Sequence, residues 1–257
     1  MDSRKRLWSS IWPPALMLLL IFIVWELIVR YELVYSWLIP SPIGVGQEMI
    51  NSWSRLMEHW LATMQLTLLG FVGGALSGIA LAMLLHFIPI IRRAMYPVLI
   101  LSQNIPVIVI APILTMLLGF GMLPKVLLIV LVCFFPICIA MLGGLAQIDY
   151  SLNNYMRMIG SNKWQTFIHL ELPSALSNVF SGLKIAASYS VLSAVVAEWL
   201  SPKVGLGGFM ILSSRGYMPE RVFATVLLIV MTSLLLFWLV TLLERLCIRW
   251  RPRKEAS

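Results

Sequence analysis

Six apolar runs, each about as long as a bilayer is thick, dominate this sequence of 257 residues. They cover about 13–29, 60–85, 95–118, 123–145, 176–200 and 221–247. A transmembrane helix needs about 20 apolar residues, and only helices or closed barrels satisfy their own backbone in hydrocarbon. The runs therefore predict an all-α membrane protein, six transmembrane helices in one polytopic domain over 1–257. Composition agrees: 12% of residues are charged, 60% are hydrophobic, and mean hydropathy is +0.91. A soluble domain carries about 25% charged residues, so this chain needs lipid as part of its solvent.

The net charge of +8 suits a polyanion binder only if the basic residues line a soluble face. They sit instead at the ends of apolar runs, which excludes nucleic acid as a partner. With the N-terminus inside, the cytoplasmic segments hold Arg4, Lys5, Arg6, Arg92, Arg93, Arg157, Lys163, Arg245, Arg249, Arg251, Arg253 and Lys254. The outer segments hold Arg30, Arg55, Lys125, Lys203, Arg215 and Arg221, with Lys184 inside a span. This two-to-one excess predicts both termini inside. The first run follows Arg4–Arg6 as a signal peptide would, but it is too long and no small-residue cleavage site follows, so it reads as an uncleaved span. Cys133, Cys138 and Cys247 form no CxxC pair and have no nearby histidine; they read as small core residues.

Local signals punctuate the runs. Ser41 before Pro42 predicts a capped helix, with Ile43, Met49, Ile50 and Trp53 near one face on the outer surface. Gly70, Gly74 and Gly78 recur every four residues, a spacing that lets helix backbones approach closely in lipid, whether as static packing or as a sliding interface. Pro106, Pro112 and Pro136 each remove a backbone donor and can kink their helices. Gln65, Thr67, Gln103 and Asn104 lie at depth, and serve either a path for a polar solute or bonds to a neighbouring helix. Gln65, Gln103 and Asn104, with Glu198 near an outer end, are the candidates for a translocation path.

Catalytic signatures are missing. No phosphate-binding G-x-x-x-x-G-K-[ST] occurs, and "GVGQEM" and "GFGMLP" lack the third glycine of a dinucleotide loop. His59, His86 and His169 are far apart, and no metal site is predicted. Ser181-Gly182-Leu183-Lys184 matches S-x-x-K without companion motifs; Lys184 is expected to snorkel to the headgroups. A charge at mid-membrane costs about 2.5–3.5 kcal/mol, and the carboxylates that a gradient-driven carrier keeps there are absent.

The polar insert at 146–175 is ordered nonetheless. Leu152, Tyr155, Met156 and Ile159 stand at i, i+3, i+4 and i+7, one helical face. Gly160 permits a sharp turn. Trp164, Phe167 and Ile168 then repeat the helical spacing, and Pro173 biases Leu172 toward extended geometry and marks a stop before the fifth span. The expectation is two short amphipathic helices bent around a glycine, too short to be stable alone.

Gly160 and the Leu172-Pro173 pair thirteen residues on resemble the G and LP of the "EAA" loop of binding-protein-dependent ABC importer permeases. The family's Glu-Ala-Ala falls on Asn154-Tyr155-Met156, and none of the three is kept. "WLIPSP", "NIPVIVIAPILTMLLGFGMLPKV", "GLKIAASYSVLSAVVAEWL" and "GLGGFM" resemble the nitrate, sulfonate and taurine branch. "LPKVLLIVLVCFFPI" with "VVAEWL" is most similar to permeases for thiamine pyrimidine precursors.

The resemblance implies a type I ABC importer permease fold in a bacterial inner membrane. It makes 146–175 the cytoplasmic coupling-helix loop, with Asn154, Tyr155, Met156, Gly160, Trp164, Phe167, Leu172 and Pro173 at the docking surface. It implies two ABC ATP-binding subunits carrying ATP and Mg, a second permease copy or paralogue, and an extracytoplasmic binding protein. The chain itself would hold no cofactor and catalyse nothing. The implied solute is hydroxymethylpyrimidine-like, with an aliphatic sulfonate, taurine or nitrate as the alternative. An ATP-independent secondary carrier is the competing class, and a membrane enzyme would need a nucleophile and base that the sequence does not cluster.

Overall fold

The computed structural model describes residues 2–35, 38–201 and 203–248, with side chains from Trp12 onward. The charges expected at Arg4, Lys5, Arg6, Arg249, Arg251, Arg253 and Lys254, and Trp37 of "WLIPSP", lie outside the described residues or side chains. All regular structure among the described residues is helical. In chain order the helices are α1 (Asp2–Arg30), α2 (Pro42–Asn51), α3 (Trp53–Phe87), α4 (Pro89–Ser102), α5 (Val107–Leu118) and α6 (Met122–Ala146). There follow α7 (Tyr150–Met158), α8 (Lys163–Thr166), a π-helical turn (Phe167–Glu171), α9 (Leu172–Trp199), α10 (Leu206–Arg215) and α11 (Pro219–Cys247).

Five helical stretches are long and apolar enough to cross a bilayer, and a bent helix pair makes six if it counts as one span. The run expected as one span over 95–118 is the pair α4 and α5, bent by 103° at the four residues between them. Pro106 stands at that break with no N–H to give and caps α5 in extended geometry (φ −62°, ψ 128°). The other breaker prolines sit inside continuous helices, Pro112 in α5 and Pro136 in α6.

α6 is the centre of the bundle, packed between α3 and α9. The glycine stripe explains one side of it. A Cβ on Gly74 would fall 2.5 Å from the Cβ of Cys133, and one on Gly78 would fall 2.8 Å from the Phe134 carbonyl oxygen. With no hydrophobic force between helices in lipid, such close van der Waals contact is what holds them together. Cys133 and Cys138 are buried there, as expected; Cys247 is exposed at the end of α11. By contrast α1 is exposed along nearly its whole apolar length.

The chain thereby acquires two distinct ends. The starts of α3 and α11 meet α2 and α10 at one end, where Arg221 Nε lies 2.6 Å from Glu48 Oε1. Ser41 caps α2 as its sequence predicts, accepting from the Gly44 N–H at 3.0 Å. At the other end α8 and the π turn meet the last turn of α3. Lys184, expected to reach headgroups, is instead paired with Glu244 of α11 at 2.5 Å; two partly buried charges satisfy each other better than either does alone in lipid.

Candidate functional site

The segment between α6 and α9 is built from the residues that predicted it. Asp149 caps α7, its carboxylate accepting from the N–H and hydroxyl of Ser151, and these bonds hold its pKa below the ordinary value. α7 ends at Gly160, whose φ of +81° is left-handed. The Gly160 N–H donates to the Arg157 carbonyl and the Ser161 N–H to that of Met156, at 3.0 Å each. This is the paired closure of a Schellman turn. Asn162 then opens α8 with a reciprocal capping box to Gln165.

Beyond α8 the structure departs from expectation. Leu172 is helical (φ −64°, ψ −48°), and Lys163–Trp199 is one unbroken helical stretch. Pro173 therefore does not end a separate short helix. The Leu172 N–H reaches back five residues to the Phe167 carbonyl, widening the helix into a π turn. That turn lies directly before Pro173, which lacks an N–H and whose ring would strike the carbonyl four residues back in a regular helix. The result is one continuous helix, shaped as a lever with α8 at the tip and the α9 span as its arm.

One side of the tip is anchored and the other is bare. Phe167 is 1% exposed, its ring centroid 5.0 Å from Phe87 and 5.6 Å from Trp164. His86 Nε2 lies 2.7 Å from Glu171 Oε2. Leu152, Tyr155, Met158, Ile159 and Trp164 are exposed, Trp164 at 56%. Asn154 and Met156 are half-buried behind this face. Of the residues expected on this face, Leu152, Tyr155, Ile159 and Trp164 are exposed, whereas Met156 is half-buried and Phe167 is buried because its ring packs against Phe87. The pattern had no signal for His86 and Glu171, which are 85 residues apart.

The break between α4 and α5 opens a cavity of about 510 Å³ against α6 and α9. Its wall includes Gln103, Ile105, Val132, Phe135, Pro136 and Tyr189. Of the predicted path residues only Gln103 is on it. Asn104 is exposed beside it, its Nδ2 donating to the Ile100 carbonyl at 3.1 Å. Gln65 is exposed on the side of α3 away from its buried Thr63, Leu66 and Thr67. Tyr189 escaped notice; its signal was a large, polar-tipped ring within the small-residue stretch "AASYS".

Glu198 lies elsewhere, 1% exposed at the α10 end. Its carboxylate accepts from the Thr63 hydroxyl at 2.8 Å and the Gly207 N–H at 2.7 Å. The Thr63 oxygen accepts from the Leu206 N–H, and His59 Nδ1 from the Gly205 N–H. This is a bracket fastening the first turn of α10 to α3 and α9, with its polar groups already satisfied.

The class these features define is a polytopic helical membrane protein with an exposed apolar face between α6 and α9 and a cavity at the α4–α5 break. The chain belongs to the family of binding-protein-dependent transport system inner membrane components, whose sequence model matches residues 70–249. It is a permease subunit of an ABC importer, of the branch that includes nitrate, sulfonate and taurine permeases. A formylaminopyrimidine transport permease protein of Halalkalibacterium halodurans is 32% identical, with 94% of this chain and 96% of that protein covered. A putative aliphatic sulfonates transport permease protein of Bacillus subtilis is 28% identical, covering 95% and 90%. Among solved structures, a chain of the MetNI methionine ABC transporter in an inward-facing conformation superposes with a TM-score of 0.67. That likeness has 18% identity and covers 76% of this chain and 97% of the other; it supports the fold.

Proposed function

We propose that this permease is driven through the lever by a partner's nucleotide cycle, and that its solute is a pyrimidine precursor of thiamine. The carrying observation is the bare apolar face of Leu152, Tyr155, Met158 and Ile159 along α7 and of Trp164 on α8, the last on a helical stretch continuous with a membrane span. An exposed patch of this kind on an ordered element marks a protein contact. A push at α8 has no loop to dissipate in before it reaches the span. The partners are two ATP-binding subunits, on which ATP and Mg reside, a second copy or paralogue of this chain, and an external binding protein. The lever and both termini face the ATPases, in the direction of the basic-residue bias. Closure of the ATPases rocks the spans between inward- and outward-open forms, provided the ATPases bind the two forms with different affinity.

The pyrimidine assignment draws on the 32% identity to the formylaminopyrimidine permease. The experiment is reconstitution of the chain with its ATPase and binding protein in liposomes, with radiolabelled hydroxymethylpyrimidine outside. Uptake should require ATP, and crosslinkers at Trp164 or Tyr155 should capture the ATPase. Uptake without any ATPase, or crosslinks to lipid alone, would end the coupling proposal. Uptake of taurine in place of the pyrimidine would end the substrate assignment.

A further inference from the structure

We infer that the cavity at the broken span is a contact site for a neutral nitrogen heteroaromatic, and that Gln103 and Tyr189 are its specificity-determining residues. The inference rests on the importer reading above and adds to it the residues that meet the solute. Three observations carry it. First, the wall contains no charged side chain. Lys184 is committed to Glu244, and Lys125 lies at the α10 end, donating to the Ser201 carbonyl. A sulfonate or nitrate ion in this cavity would meet no cation, and burying an unpaired charge is costly.

Second, the wall offers exposed polar side chains with no protein partner among the described residues. Neither the Gln103 amide nor the Tyr189 hydroxyl makes a hydrogen bond within the described residues, whereas Ser102 beside them donates to the Leu99 carbonyl. Pro136 adds a third group, because its missing N–H leaves the Val132 carbonyl without its helical donor. An amide, a phenol and a carbonyl together present donors and acceptors in the mixture that ring nitrogens, amino and hydroxyl substituents require. Third, the remaining wall is apolar, with the rings of Phe135 and Tyr189 available to an aromatic face. The volume of about 510 Å³ falls within the range of small-molecule sites.

The test is equilibrium binding of radiolabelled hydroxymethylpyrimidine to the permease–ATPase complex in nanodiscs without binding protein, run beside uptake with all components present. Excess taurine and nitrate should leave the bound label in place. Gln103→Leu and Tyr189→Phe should each weaken binding about tenfold, the loss of one solute hydrogen bond, and Gln103→Asn should recover part of it. Ile108→Ala, off the wall, serves as the control. Co-purification of the ATPase reports that each variant assembles, and the two variants alter different elements, the α4–α5 break and α9, so one misfolded protein does not decide the outcome. If the parent imports the pyrimidine while both variants bind it as the parent does, the site is refuted and the importer reading stands. If the parent complex binds no pyrimidine, or taurine displaces it, the site is refuted as well. Import of taurine alone would remove the substrate reading beneath it.

Discussion

His86 Nε2 and Glu171 Oε2 stand 2.7 Å apart, tying the last turn of α3 to the π turn that joins the lever to its span. Both side chains are largely buried, so the contact is shielded from the water that weakens surface pairs. It fixes the angle at which α8 leaves the bundle, together with the ring stack of Phe87, Trp164 and Phe167. A double-mutant cycle isolates it: His86→Ala and Glu171→Ala should be strongly non-additive, with a coupling of about 1–2 kcal/mol in thermal unfolding. Additive losses would show that the two groups act apart.

Gly160 separates backbone conformation from space. Nothing lies within 4 Å of a Cβ built there, yet φ is +81°. Gly160→Ala should therefore cost only the left-handed penalty, about 1 kcal/mol, and Gly160→Asn less. Gly160→Pro cannot take a positive φ and deletes the N–H that closes on Arg157. It should leave membrane insertion intact while separating ATP hydrolysis from uptake. A coupled Gly160→Pro transporter would contradict the lever mechanism.

The bracket around Glu198 predicts an order of losses. Glu198→Ala leaves the Gly207 N–H buried without an acceptor, because the Thr63 hydroxyl can turn to the His59 carbonyl at 3.2 Å. The expected cost is about 2 kcal/mol, that of one orphaned buried donor. Thr63→Val orphans the Leu206 N–H in the same way, whereas Thr63→Ser keeps the oxygen and should be mild. Melting curves of the purified protein give the ranking. A Glu198→Ala protein as stable as its parent would mean that the carboxylate holds nothing.

Glu48 supplies a pH signature outside the spans. Burial would raise its pKa, but hydrogen bonds from Ser52 and Arg221 and the charges of Arg221 and Arg55 outweigh that and hold it below its ordinary 4.5. A carboxyl depressed by folding adds stability above its unfolded pKa, and that stability is lost as pH falls through the folded value. The melting difference between the parent and Glu48→Gln should thus be largest near neutrality and shrink below about pH 4.5. A difference that ignores pH would assign the effect to shape, not ionisation.

What the sequence made legible was local. The apolar runs, the Ser41 cap and the Gly160 turn each follow from a few adjacent residues whose chemistry leaves one good conformation. Pro173 misled because its rule concerns a regular helix, and the chain had a π turn with which to evade it. Lys184 and Glu198 were misread for a different reason. Their partners, Glu244 and Thr63, lie 60 or more residues away in the chain, and nothing in a one-dimensional pattern announces them. Gln65 shows the limit from the other side: depth in a span was readable, but the face it occupies depends on where α6 packs.

The glycine stripe allows the sharpest separation of packing from flexibility. A Cβ at Gly74 would meet the Cys133 Cβ at 2.5 Å and the Val130 carbonyl oxygen at 2.9 Å, one of them backbone that cannot turn aside. At Gly46, in α2, it would meet nothing within 4 Å. Alanine has the higher helix propensity at both positions, by about 1 kcal/mol. Gly46→Ala should therefore be neutral or slightly stabilising. Gly74→Ala should force α3 from α6, losing about 1–3 kcal/mol as overpacked cores do, and Cys133→Ala should recover part of that loss by removing the sulfur behind the colliding carbon. The melting temperatures of the four proteins decide it. Equal behaviour of Gly46→Ala and Gly74→Ala would mean that the α3–α6 seam is loose enough to slide, and that the glycines serve motion, not contact.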